Sequence, residues 1–257
     1  MTTPLRLVRC LYLSMLAVAM SLAGTGAQTA PGPVGPAGEP FGEEIRRFVE
    51  ADRATPPAAC QVLFVGSSSI VKWRAHLAAD MAPMPVINRG FGGAHIEHVN
   101  RWFNQIVAPY RPRAIVFYAG ENDIDAGKSV DRVVADFDEF MSRKKQALGK
   151  TPVYFISLKP SKLRFREFPL QSQVNAAIRE RAGQRSDLHY LDVVPAMLEN
   201  GKPKDIFEPD DLHMTRAGYI IWTQVVRAAL LPSTESEARS CRPTVPQSSG
   251  GKPTSRR

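Results

Sequence analysis

Between residues 61 and 193 the chain alternates short apolar runs with stretches of helical spacing, and this alternation narrows the possible fold more than anything else in the sequence. Residues 61–65, 86–87, 114–118, 153–158 and 188–193 are rich in branched and aromatic residues, and their length predicts strands. Between them, residues 69–81 read as a helix, and Ile96, Val99, Phe103, Ile106 and Val107 mark a second. Val130, Val133, Val134, Phe137, Phe140 and Met141 form the stripe of a longer one. Residues 174–181 and 212–231 complete the helices. Phe41, Ile45, Phe48 and Val49 predict a first helix at the domain edge, ended by Pro56-Pro57. Strand and helix in turn imply a parallel sheet with right-handed crossovers and helices on both faces. The expected class is α/β, a three-layer sandwich around a five-stranded parallel sheet.

With 257 residues and 44% hydrophobic composition, one core and one domain are expected, over residues 41–231. Arg6 and Arg9 precede an uncharged apolar stretch, residues 11–24, that is shorter than the ~20 residues of a membrane span. Thr25-Gly26-Ala27 supplies small residues before a cleavage point, so residues 1–27 read as a signal peptide and the mature protein as secreted or periplasmic, without stable membrane insertion. Residues 28–40 hold four prolines and three glycines and read as a linker. Residues 232–257, rich in Ser, Pro and basic residues, read as a disordered basic tail. Loss of Arg6 and Arg9 takes the net charge from +8 to +6, of which the tail carries +3. No interleaving of basic and aromatic residues points to nucleic acid. After cleavage Cys60 and Cys241 remain. In an oxidising compartment they can pair or stay as two thiols, and the sequence leaves both open.

In open parallel sheets, ligands bind beyond the carboxyl ends of the strands. Three polar blocks fall there: Gly66-Ser67-Ser68-Ser69, Asn88-Arg89-Gly90-Phe91-Gly92-Gly93 and Gly120-Glu121-Asn122-Asp123. A fourth, Asp210-Asp211-Leu212-His213, precedes the closing helix. Each alone has a bland reading, such as helix-capping serines or an Asn-Asp turn. Together they supply a serine, donors for an oxyanion, a histidine and a carboxylate, the parts of a serine acyl-transfer site. Of five histidines, His213 is the one with an acid three residues earlier in a loop before a helix. Asp210 is the expected partner, with Asp211 the competing carboxylate. Ile70 stands where Gly-x-Ser-x-Gly needs its last glycine, which argues against the ordinary α/β-hydrolase elbow. His95 and His98 flank Glu97, but no third ligand candidate stands out, so no metal and no organic cofactor are expected.

The constellation resembles the SGNH (GDSL-type) hydrolase superfamily over roughly residues 61–231. The resemblance implies a flavodoxin-like SGNH fold and assigns Ser68 as nucleophile, His213 as base and Asp210 as its orienting acid. It also assigns the oxyanion site to the backbone N–H groups of Ser68 and Gly93 and the side-chain amide of Asn122. Glu121 and Asp123 are read as scaffold. Two departures stand out: Ser67 holds the place of the usual aspartate, and Met214 that of the proline after the histidine. The implied activity is hydrolysis of carboxylic esters, with short acyl groups such as acetyl on a carbohydrate the expected substrates. The charged loop 159–164 is expected to form a pocket wall suited to a polar or anionic substrate. An O-acyltransferase with the same triad and a non-catalytic carbohydrate-binding module remain as alternatives. The oligomeric state is not legible.

Overall fold

The computed structural model describes residues 38–240, with side chains as far as Leu231. Five strands, β1 (Val62–Gly66), β2 (Val86–Gly90), β3 (Ala114–Tyr118), β4 (Val153–Ile156) and β5 (Leu188–Leu191), form one parallel sheet in the order β2-β1-β3-β4-β5. The central strands β1, β3 and β4 are buried along their whole length, as expected where helices cover both faces. This is the three-layer α/β sandwich that the alternation predicts. The strand order places a topological switch point between β1 and β3, where ligands of such sheets gather.

Consecutive residues of a strand face opposite sides, and β3 shows what each side packs against. Phe117 meets Phe137 and Phe140 of α6 (Val130–Leu148), whereas Tyr118 meets Trp222 of α9 (Arg216–Ser240). On that second face Trp73 of α2 (Ser68–Met81) stacks edge-on against both Phe64 and Trp222. Helices α1 (Gly42–Ala54), α3 (Ile96–Arg101), α4 (Phe103–Ile106), α5 (Glu121–Asp125), α7 (Phe168–Gly183) and α8 (Val194–Met197) complete the layers, with a small hairpin of β6 (Leu198–Glu199) and β7 (Lys202–Pro203).

Several boundaries differ from expectation for identifiable reasons. The helix marked by Ile96 to Val107 is broken at Trp102, whose backbone leaves helical geometry (ψ 10°) and whose indole N–H donates to the Pro40 carbonyl at 3.0 Å. The fourth strand stops before Ser157 and Leu158 because the Asn175 side chain takes both Leu158 backbone groups, at 2.7 and 3.0 Å. The closing helix starts at Arg216, not residue 212, because the segment before it is held by a backbone bridge between Phe207 and Met214. It also continues past Pro232 to Ser240; proline removes one backbone donor, and residues 233–240 contain no second proline or glycine. The rest of the expected tail lies outside the described residues, as do the expected signal peptide and most of the linker. The linker's last residues are docked: Glu39 bonds Arg101 at 2.8 Å. Cys60 is disulfide-bonded, and Cys10 and Cys241 both lie outside the described residues.

Candidate active site

The site begins where β1 ends. Gly66 has φ +140°, and a Cβ there would stand 1.9 Å from the Tyr118 carbonyl oxygen, so the position admits only glycine. Tyr118 then accepts a hydrogen bond from the Ser67 N–H at 2.8 Å, which fixes the turn into α2. Ser67 is the residue before the helix, but its side chain makes no capping bond. Ser67 and Ser69 are buried residues, at 2% and 1% exposure, and only Ser68 among the three is partly exposed. The turn thus separates three neighbouring serines by burial.

Ser68 Oγ lies 2.9 Å from His213 Nε2, and His213 Nδ1 lies 2.6 Å from Asp210 Oδ2. Asp210 Oδ1 meanwhile accepts the backbone N–H groups of Leu212 and His213, at 3.0 and 2.8 Å. Burial works against its charge, yet the His213 ring and these two N–H groups outweigh it and hold the Asp210 carboxyl far below the usual carboxylate range. Asp211, the competing carboxylate, takes a left-handed turn conformation (φ 55°), and its carbonyl accepts the Leu163 N–H at 2.9 Å. Its side chain is directed to Lys162, 3.8 Å away, and not to the histidine.

The two remaining expected residues meet through a third. Asn122 Nδ2 donates to the Ala94 carbonyl at 3.0 Å, tying the start of α5 to the turn at Gly93, which is exposed and has φ +73°. That amide spends one of its two N–H groups there and keeps the other. Glu121, next in chain, is buried with Lys159 as its ion partner and accepts from Tyr118 and Ser161 hydroxyls at 2.7 and 2.8 Å. Burial opposes its charge, but Lys159 and these donors keep the carboxyl below its ordinary value. Asp123 accepts the Ile96 N–H at the start of α3 and the Lys128 ammonium. Both acids are scaffold.

The geometry of serine, histidine and aspartate on the carboxyl edge of a parallel sheet has a match in sequence. Residues 31–221 fit the family model described as GDSL-like lipase/acylhydrolase. The chain belongs to that family. As a GDSL-type protein it is a carboxylic ester hydrolase. Its fold is shared with a GDSL-like lipase from Bacteroides thetaiotaomicron (16% identity, 74% of this chain and 98% of that one, TM-score 0.62). It is also shared with a carbohydrate esterase family 3 protein from Talaromyces cellulolyticus (16%, 69% and 99%, 0.55) and an acetylxylan esterase from Geobacillus stearothermophilus (14%, 66% and 93%, 0.53). No functionally curated protein matches the chain significantly.

Within this GDSL-type framework both departures are accommodated locally. Met214, in the usual proline's place, is buried and packs on Gly218, where a Cβ would come within 2.7 Å of the methionine Cβ. Ser67 keeps its turn through its backbone, as above. The reading of loop 159–164 as favouring an anionic substrate needs correcting, because its cations are already committed. Lys159 pairs with Glu121, Lys162 with Asp205 at 2.6 Å, and Arg164 with Asp125 at 2.7 Å.

Sequence reasoning missed several residues that tie the elements of this site together. Asn88 Nδ2 donates to the Ile70 carbonyl at 2.7 Å, binding the middle of β2 to the first turn of α2. Asp80, Arg216 and Tyr219 clasp α2 to α9, with Tyr219 Oη donating to the Ser69 carbonyl at 2.9 Å. These are contacts between distant elements, and no local pattern announces them. The folded chain also brings Glu97 to His95 and His98, with one ligand atom of each within 4.8 Å of the others, so a third candidate does exist there. Lys128 at 2.9 Å and Arg132 at 3.2 Å already neutralise that carboxylate, which works against a cation. A cavity of about 670 Å³ along β5, lined by residues such as Tyr154, His189 and Ala228, contains none of the site residues. Convergent chemistry, not cavity size, marks the site.

Proposed function

We propose that the protein is an exported serine esterase that removes short acyl groups, such as acetyl, from a carbohydrate through an acyl-enzyme. The observation that carries this reading is the continuous chain Asp210–His213–Ser68, with links of 2.6 and 2.9 Å. His213 takes the Ser68 proton as Oγ attacks the ester carbonyl, and Asp210 stabilises the imidazolium. The oxyanion is held by the N–H groups of Ser68 and Gly93 and the free N–H of Asn122, donors each worth ~2.7–4 kcal/mol in such sites. His213 then returns the proton to the leaving alcohol. Water, activated by the same base, releases the acid and regenerates Ser68.

The substrate class is supported by how open the site is. The Asp210 side chain is 48% exposed and Gly92 and Gly93 are exposed, so a bulky polymer can approach. Among the structural relatives are esterases named for carbohydrate and acetylxylan. Export is supported by the leader-like residues 1–27 and by an oxidised Cys60, for which Cys241 is the proposed partner in the mature chain.

A fluorophosphonate probe tests the central claim: it should label the wild type at Ser68 and leave Ser68→Ala unlabelled. Release of acetate from acetylated xylan should exceed hydrolysis of long-chain nitrophenyl esters. Label on Ser68→Ala would remove the nucleophile assignment, and a preference for long chains would remove the substrate class. N-terminal sequencing of the mature protein should return Gln28; Met1 or Thr2 would defeat the export reading.

A further inference from the structure

We infer that Arg164 is a positioning residue for the oxyanion site: it sets the orientation of the Asn122 amide by donating to its oxygen. This rests on the esterase reading above and goes beyond it, since nothing in the blocks that define the family points to residue 164.

Arg164 stands at the end of the loop after β4, and its side chain is 11% exposed. Nη1 donates to Asn122 Oδ1 at 2.9 Å, and Nη2 donates to Asp125 Oδ2 at 2.7 Å. Nη1 is also 3.9 Å from Glu121 Oε1. The guanidinium therefore bridges the first and last residues of α5 and grips Asn122 between them. A planar fork with several donors can do this, and a single ammonium cannot.

The consequence for Asn122 follows from the symmetry of an amide. Its oxygen and nitrogen ends are nearly equal in size, so an unrestrained side chain can present either end to the reacting carbonyl. Presented by its oxygen, it would repel the oxyanion. Arg164 on Oδ1 and the Ala94 carbonyl on Nδ2 permit only one orientation, because the reverse would set donor against donor and oxygen against oxygen. With both contacts made, the second N–H is left with a fixed direction. The Arg164 N–H on Oδ1 also polarises the amide, which strengthens the opposite N–H as a donor when negative charge develops. Because charge develops in the transition state and not in the bound ester, the effect belongs to kcat and not to KM.

The test is a double-mutant cycle on nitrophenyl acetate hydrolysis, run beside Ser68→Ala. Arg164→Met should lower kcat about tenfold or more with KM within about twofold, short of the ~10²–10³ loss expected for Asn122→Ala. Arg164→Lys should fall between wild type and Arg164→Met, and it carries the test if the methionine variant does not fold. The decisive readout is coupling: on an Asn122→Ala background, changing Arg164 should alter kcat by less than about twofold, since the group it orients is gone. Losses that multiply fully in the double variant, or a wild-type kcat in folded Arg164→Met, overturn the assignment. An inactive Ser68→Ala accompanied by such additive losses overturns the Arg164 role alone. An active Ser68→Ala overturns the serine-esterase reading and this inference with it.

Discussion

The Cβ that Gly66 lacks would stand 1.9 Å from the carbonyl oxygen of Tyr118, the residue opposite it in the neighbouring strand. The same carbonyl accepts the Ser67 N–H, so one oxygen both excludes a side chain at Gly66 and fixes the turn that delivers Ser68. Gly66→Ala must push β1 and β3 apart at the site and strain a backbone at φ +140°. Its expected cost is about 2–4 kcal/mol of stability together with loss of esterase activity. Chemical denaturation and turnover measured on one preparation check both, and a stable, active variant would contradict the geometry.

Burial divides the three serines. Ser68→Ala should lower kcat by on the order of 10⁴–10⁶, whereas Ser67→Ala and Ser69→Ala should stay near the wild-type rate if they fold. Ser67 and Ser69 are each at or below 2% exposure, so their loss should appear in thermal unfolding and not in chemistry. A dead Ser67→Ala or Ser69→Ala with an active, folded Ser68→Ala would move the nucleophile.

Much of this was legible in the sequence, and what was not has a physical reason. Strand β3 and the start of α2 follow directly from apolar runs closed by glycine, since local pattern and tertiary burial agree there. His213 and Asp210 are legible because spacing and loop position narrow the choices, whereas Ser68 stands out from its two neighbours only through the resemblance to the SGNH pattern. Arg164, Asp80 and Asn88 are not, because each acts on an element far away in sequence, as Arg164 does on Asn122 across 42 residues. The β6–β7 hairpin does carry a local signal: Asn200 and Gly201, at φ 50° and 74°, are the pair that a two-residue hairpin turn prefers. The position where the closing helix begins was not legible, because the apolar pattern around Leu212 and Met214 serves a bridge to Phe207.

The pH dependence follows from Asp210. Its carboxyl lies far below the usual carboxylate range, so it stays ionised throughout the acid side of the activity profile. The base must be neutral imidazole, so kcat/KM should fall on acidification with the slope of one proton, and Asp210 should add no second step. Asp210→Asn should lower kcat by about 10²–10⁴, by loss of imidazolium stabilisation and of the correct tautomer. A profile that falls with the slope of two protons above about pH 4, near the reference carboxylate value, would mean that Asp210 titrates there and is not held ionised by His213.

The last prediction concerns the clasp between the two helices that carry the reacting groups. Ser68 opens α2, and His213 lies three residues before α9 begins at Arg216. Arg216 Nη1 and Nη2 bond Asp80 near the far end of α2, at 2.7 and 2.5 Å, and the Trp73 indole bonds the same carboxylate at 2.7 Å. Burial alone would raise the Asp80 pKa, but the bonds from Arg216 and Trp73 outweigh it and hold it below its ordinary value. A depressed folded pKa gives stability that is present above the unfolded value of about 3.9 and lost as pH falls through the folded one. Asp80→Asn should therefore destabilise the protein at neutral pH by about 1–3 kcal/mol, and the gap from wild type should close as pH falls below about 4. Removing the second clasp, the Tyr219 hydroxyl on the Ser69 carbonyl, leaves packing intact in Tyr219→Phe. If the clasp aims His213 at Ser68, the double variant should lose more kcat than stability alone explains, visible at a temperature where it is fully folded. A double variant with wild-type kcat under those conditions would show that the 2.9 Å contact between Ser68 and His213 is held by the loop itself, without help from α9.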